Sequence, residues 1–219
     1  MNSTLEYISA KFGVNLERKP PIEIPNINRK IMAETLGELG LITGAEIGVA
    51  QGFHAKLLFE NIPALKLYAV DVWEKYPGYN EYEDRIKRYY REAKRRLSGY
   101  NVAFMKMFSM EAAKTFYDNS LDFVYIDGAH DFRSVAEDLC EWVPKVRVGG
   151  IVYGHDYKRR IDRAEYIIHV KDVVQAYMYS HGIRPWFVLG MRGNRPDGLY
   201  VEGTQSWMMV RQEGDRLQK

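Results

Sequence analysis

The stretch IDGAHDF, residues 126–132, sets Asp127, His130 and Asp131 directly after the apolar run LDFVY. Charged groups are costly to bury without partners. A strand that ends this way either runs into a polar loop or delivers an acid to a place that needs one. Two other apolar runs end alike: KLYAVDV reaches Asp71, and GGIVYGHD reaches His155 and Asp156. Asp127, His155 and Asp156 form a donor set for a divalent cation, with carboxylates for a hard ion and an imidazole for a softer one. His130 carries a group that exchanges its proton near neutral pH, so it is a candidate base for a hydroxyl, with Asp127 three residues before it. Its plainer role is a hydrogen bond within the loop. Asp131 is placed either to orient His130 or to cap the helix that follows.

The run EIGVAQG supplies Glu46, Gly48 and Gly52. Glycines at a strand-to-helix turn let the backbone come close to a ligand. The spacing is not G-x-G-x-x-G, which speaks against a dinucleotide pyrophosphate. Asp71 comes about 20 residues later, where an acid suits a pair of ribose hydroxyls. A helix cap or a solvated loop acid is the alternative.

These residues need a frame, and the hydrophobic pattern predicts one. Strands are expected at 45–49, 66–72, 101–106, 121–127, 149–156, 185–190 and 206–211. Helices are expected at 52–61, 81–97, 109–118, 132–143 and near 166–180, with Ser109 a candidate cap and Val135, Leu139, Trp142 and Val143 an apolar stripe. Strict alternation with short turns implies an α/β fold: a doubly wound, mostly parallel sheet of seven strands. The last two strands lack a helix between them, so an antiparallel edge strand is expected. Ligands of such a sheet bind beyond the carboxyl ends of its strands, where Asp71, Asp127, His155 and Asp156 fall. Residues 1–40 read as an N-terminal helical segment capping part of the cleft, in which the proline-marked RKPPIEIPNI is an extended, non-helical piece and NRKIMAETLGEL is a helix with Ile31, Leu36 and Leu39 near one face; residues 41–219 read as the main domain.

Composition narrows the classes. Lys and Arg total 31 against 29 Asp and Glu, so global charge demands neither nucleic acid nor an anionic membrane surface. Cys140 is the single cysteine, which rules out an internal disulfide and favours a reducing compartment. No signal peptide or membrane-length apolar run is evident, so a soluble, cytoplasmic protein is expected. Tyr76, Tyr79, Tyr82, Tyr89 and Tyr90 interleave with basic residues, a pattern seen in nucleic-acid binders. Acids at 81, 83, 84 and 92 favour a solvated helix face instead. The segment 74–80 is placed to form a lid, and the loop RGNRPDG (192–198) lies near the same sheet edge.

Taken together, EIGVAQG, YAVDVW, SLDFVYIDGAHDFRSVAEDL and VRVGGIVYGHDY resemble the class I S-adenosylmethionine-dependent methyltransferases. The likeness is greatest to the small-molecule O-methyltransferase branch that includes macrocin-type sugar enzymes, and runs over about residues 44–157. It implies a Rossmann-like fold and transfer of a methyl group from S-adenosylmethionine to a hydroxyl of a sugar, glycan or phenolic small molecule. By resemblance, Glu46, Gly48 and Gly52 line the methionine end of the cofactor. Asp71 holds the ribose, Val72 and Trp73 flank the adenine, and Ser109 and Met110 meet its edge. Asp127, His155 and Asp156 take the positions that hold Mg²⁺ or another divalent cation in metal-dependent members. His130 falls where related enzymes carry a base. A nicotinamide-dependent oxidoreductase and a non-catalytic cofactor-binding protein stay as rivals, and homo-oligomerisation is left open.

Overall fold

A computed structural model describes residues 3–76, 85–162, 167–190 and 204–217. Eight strands alternate with seven helices among them. The strands are β1 (Ile22–Ile24), β2 (Thr43–Ile47), β3 (Lys66–Asp71), β4 (Val102–Lys106), β5 (Leu121–Ile126), β6 (Val146–Gly154), β7 (Trp186–Leu189) and β8 (Ser206–Val210). The helices are α1 (Ser3–Phe12), α2 (Arg29–Glu38), α3 (Phe53–Asn61), α4 (Ile86–Arg96), α5 (Ser109–Ala113), α6 (Phe132–Trp142) and α7 (Val170–Ser180). The sheet order is β1-β7-β8-β6-β5-β2-β3-β4, and only β8 runs against the rest.

The period-2 alternation of each strand sends its apolar residues to two cores. Ala45, Ile47, Val124, Ile126 and Val152 face the side covered by α5, α6 and α7. Leu67, Phe123, Tyr125, Ile151 and Tyr153 face the side covered by α1, α2 and α3. Strands buried on both faces need helices on both, which is the doubly wound α/β arrangement the alternation predicts.

Two details differ from expectation. The strand count is eight, because RKPPIEIPNI contributes β1, which buries Ile22 and Ile24, exposes Glu23 and pairs with β7 at the sheet rim. Its prolines exclude a helix, but a rim strand uses one ladder only. The antiparallel strand β8 lies between β6 and β7 rather than at the rim. Trp207 and Met209 are buried in one core and Met208 and Val210 in the other, while β6 and β7 pair with its two edges.

The described part of 1–40 joins the same core as α3. Thr4 Oγ1 donates to Gly149 O (2.7 Å) near the amino end of β6, and no described residue of this segment lines the cavity at the carboxyl edge. Tyr79 and Tyr82, the acids at 81, 83 and 84, and the loop 192–198 lie outside the described residues. Among the described residues, no helix is long and apolar enough to cross a membrane.

Candidate active site

At the switch point β2 has β3 on one side and β5 on the other, and the crossovers lead away in opposite directions. A cavity of about 490 Å³ opens there. Its walls come from the turn after β2 (Gly48, Ala50), the end of β3 (Asp71, Val72, Trp73), the entry to α5 (Met107–Met110), the end of β5 (Asp127, Gly128) and the first turns of α6. That size suits a drug-sized or nucleoside-sized ligand.

Gly48 is required by this geometry. Its φ is +87°, and a Cβ would stand 2.1 Å from Asp127 O and 2.8 Å from Gly128 Cα. The turns after β2 and β5 therefore touch through backbone alone. Ala50 (φ +47°), Trp73 (+45°) and Asp156 (+51°) also hold left-handed backbone at this edge. Such conformations cost energy in residues with side chains and persist where the surroundings fix them.

Asp71 shows how they are fixed. Its Oδ2 accepts from Ala50 N (2.8 Å) and its Oδ1 from Trp73 N (2.9 Å), while Trp73 Nε1 donates to Ala50 O (2.8 Å). The carboxylate thus ties the turns after β2 and β3 together and keeps lone pairs for a ligand. Burial raises its pKa, and the backbone N–H groups oppose that rise. Trp73 is itself buried and serves as a pin at the cavity wall.

Ser109 is not the cap of α5; it is the first helical residue, after Phe108. Its Oγ donates to Asp138 Oδ1 (2.5 Å) and accepts from Trp142 Nε1 (2.8 Å). Asp138 is a lining residue that the sequence reading did not single out. The signal was present: positions 135, 138, 139 and 142 make one helical stripe, and Asp138 is the acid on it. Burial drives its pKa up to about 7, against the Ser109 hydrogen bond.

At the other end of the cavity, Asp127 is shared with a charged cluster. Ile126 pairs with Gly154 across β5 and β6, which sets Asp127 and the 155–156 pair side by side. His130 Nε2 lies 3.5 Å from Asp127 Oδ1 and 3.0 Å from Asp156 Oδ2. Lys158 Nζ reaches Asp156 Oδ1 at 2.8 Å, and His155 Nδ1 stands 3.6 Å from the same oxygen. Burial alone would lower the His130 pKa, but the two carboxylates outweigh it and raise it to about 10. For Asp156, burial is outweighed by His130, His155 and Lys158, so its carboxyl is held far below the usual range. Asp127, His130 and Asp156 offer ligand atoms within 4.8 Å of one another. Two carboxylates and an imidazole suit a transition ion such as Mn²⁺ or Zn²⁺ at least as well as Mg²⁺. The imidazole that meets both carboxylates here is His130; His155, expected as the ligand, is not part of that group.

Other expected residues fall elsewhere. Glu46 is fully buried on the α3 side of the sheet, its Oε2 3.3 Å from His54 Nδ1, and it does not line the cavity. Strand parity explains this: Glu46 alternates with Ala45 and Ile47, which face the other core. His54 in turn stacks on Tyr125 (3.8 Å between centroids), and Tyr125 donates to Asp127 Oδ2 at 3.0 Å. Gly52 (φ +76°) caps the start of α3, packs against Leu97 and does not line the cavity. Asp131 caps α6, accepting from Arg133 N and Ser134 N at 3.1 Å each.

Comparison with known proteins identifies the family and the fold. Residues 45–157 match a family described as a methyltransferase domain, just over half of the 219-residue chain. The uncharacterized protein y4gI of Sinorhizobium fredii is 27% identical over 126 residues, a match spanning 52% of this chain and 13% of that protein. An O-methyltransferase from Bacillus cereus in complex with SAH superposes with a TM-score of 0.59 at 13% identity, covering 96% of this chain and 92% of that one. TomG from Streptomyces achromogenes, an O-methyltransferase involved in tomaymycin synthesis, solved in complex with SAM, gives 0.58 at 14% identity, with 96% of each chain covered. The chain belongs to the methyltransferase-domain family, on the Rossmann-like fold of class I S-adenosylmethionine-dependent methyltransferases.

Proposed function

We propose that this protein transfers a methyl group from S-adenosylmethionine to a hydroxyl of a small molecule, with help from a divalent cation. One observation carries the reading: a nucleoside-sized cavity and a cluster of two carboxylates and an imidazole share Asp127. S-adenosylmethionine brings an electrophilic methyl group on sulfur. What the protein must add is alignment of the accepting oxygen and a place for its proton.

Asp71 is assigned to the ribose hydroxyls, with Val72 and Met110 beside the base. Gly48 keeps the backbone between Asp71 and Asp127 flat enough for a ligand to lie across it. Asp127 and Asp156, with His155 nearby, are assigned to the cation, whose contribution when bound is Lewis acidity toward a hydroxyl. His130, although its imidazole lies within the group of possible ligands, is assigned as the base, which leaves the cation to the two carboxylates. The last two roles are linked. An imidazole clamped between two carboxylates keeps its proton near neutral pH, and carboxylates that held a cation would loosen that clamp. Acceptors with sugar or phenolic hydroxyls fit this chemistry, and both solved structures described above are O-methyltransferases by name.

Calorimetric titration tests the first half: S-adenosylmethionine and S-adenosylhomocysteine should bind and NAD should not. Tight NAD binding would return the oxidoreductase reading. Turnover of hydroxyl acceptors should fall with EDTA and return with Mn²⁺ or Mg²⁺. His130→Ala should keep S-adenosylhomocysteine affinity within about twofold and lower kcat by roughly a hundredfold or more, the usual scale of general-base loss. Unchanged kcat in that variant removes the base assignment.

A further inference from the structure

The part of the cavity assigned to the nucleobase is apolar on one side, with Met107, Phe108 and Met110. A base lying there needs a partner for its polar edge. Ser109, the residue expected at that edge, is already committed. Trp142 Nε1 fills an acceptor position on its oxygen, and its own proton goes to Asp138. Arg133 and Glu137 are paired with each other at 2.7 Å on the exposed flank, and the hydroxyl of Ser134 is bonded to Asp131. Asp138 remains. Its Oδ1 is anchored by Ser109, and no described residue donates to its Oδ2. That oxygen faces Gly128, where an added Cβ would come within 3.6 Å of it, so the missing side chain keeps the space open.

We propose that Asp138 is the specificity residue for the cofactor's base, its Oδ2 accepting a hydrogen bond from the exocyclic amino group of adenine. The assignment rests on the proposed use of S-adenosylmethionine and goes beyond it by naming how the base is read. A carboxylate accepts from an amino group and repels the carbonyl oxygen of a 6-oxo purine. The anchor sets the outcome of substitution as well. Because Trp142 forces the Ser109 proton toward position 138, the amide introduced by Asp138→Asn keeps its carbonyl on Ser109 and turns its NH₂ to the cavity. A donor then faces the base, favouring the 6-oxo analogue.

The experiment is calorimetry at pH 8, above the value of about 7 set by burial and by the neighbouring acids Glu137 and Asp131, so that the carboxyl is ionised. The probes are S-adenosylhomocysteine and S-inosylhomocysteine. The wild-type protein should prefer the adenine compound by about tenfold or more, the scale on which a buried acceptor rejects a mismatched partner. Asp138→Asn, folded by circular dichroism, should lose or invert that preference, whereas a residue that only braces α5 against α6 would change stability and leave the ratio alone. Equal wild-type affinity for the two probes overturns the assignment while leaving the proposed function standing, as does an unchanged ratio in the folded variant. Should the variant fail to fold, the wild-type ratio decides. Absence of binding to either probe overturns the proposed function and this assignment with it.

Discussion

Two sets of carboxyl groups sit at one edge of one sheet, and they are satisfied in opposite ways. Asp71 and Asp138 are buried against neutral donors: backbone N–H groups for the first, a serine hydroxyl for the second. Asp127 and Asp156 are matched with charges, His130 between them and Lys158 beyond. Neutral donors offset only part of the burial cost, so the first pair has raised pKa values. Charged partners more than offset it at Asp156. The first arrangement suits an uncharged polar ligand, such as the nucleoside proposed above. The second is a closed ion cluster, which acts on a substrate only by exchanging partners. On the function proposed above, the difference separates holding from reacting within a single site.

Gly48→Ala should break both sides at once and have the largest effect. The turn after β2 meets the turn after β5 through backbone, with a Cβ at 2.1 Å from Asp127 O and a φ of +87°. Neither neighbour is a flexible side chain that can yield. A loss of about 3 kcal/mol or more is expected from overlap and backbone strain together. Urea denaturation measures it, and a cost below about 1 kcal/mol would mean that the two turns are not in contact.

Asp71→Asn should break the holding side alone. An amide nitrogen must then face Ala50 N–H or Trp73 N–H, leaving a donor against a donor, at a cost of about 1–3 kcal/mol. S-adenosylhomocysteine affinity should fall by roughly ten- to a hundredfold. Asp156→Asn should spare that affinity and abolish metal-dependent turnover. If both variants lose cofactor affinity equally, the two sides are one.

Much of this edge was legible in the sequence, and the limits have physical causes. The strand ends at Asp71, Asp127 and Asp156 could be read because a buried parallel strand has no reason to carry an acid until it emerges. The side to which a residue points is a matter of parity, and one position decides it. Glu46 lies within an apolar run, and its neighbours Ala45 and Ile47 took the cavity-side core, which turned its carboxyl toward His54. His130 and His155 could not be ranked as cluster members because the loop after β5 folds back over β6. Asp138 could have been found: it breaks the apolar stripe of α6 as the strand-end acids break theirs. β1 was missed as a strand because three residues between prolines carry too little period to count.

A smaller effect on the holding side concerns pH. The Asp138 carboxyl has its pKa raised by burial from 3.8 to about 7. The folded state therefore keeps a proton that the unfolded state gives up. Stability from this group is full below pH 3.8, falls as pH rises through that window, and levels off above about 7. Asp138→Asn should flatten that part of the stability-against-pH curve. An equal slope in the variant would show that Asp138 is solvated rather than buried.

The smallest effect tests the border between the two sets. Asp131 neighbours His130 in the chain, yet its carboxylate accepts from Arg133 N and Ser134 N and so belongs to the helix rather than to the cluster. Removal of an N-cap costs about 1 kcal/mol. Asp131→Ala should therefore lower the melting midpoint in proportion and leave kcat within about twofold, because His130 is positioned by Asp127 and Asp156. A drop in kcat well beyond the loss of folded protein, with cofactor affinity intact, would move Asp131 into the reacting set. His130 would then be oriented from the cap of α6 as well as from the strand ends, and Asp131 would join Asp127 and Asp156 as a carboxylate acting on it.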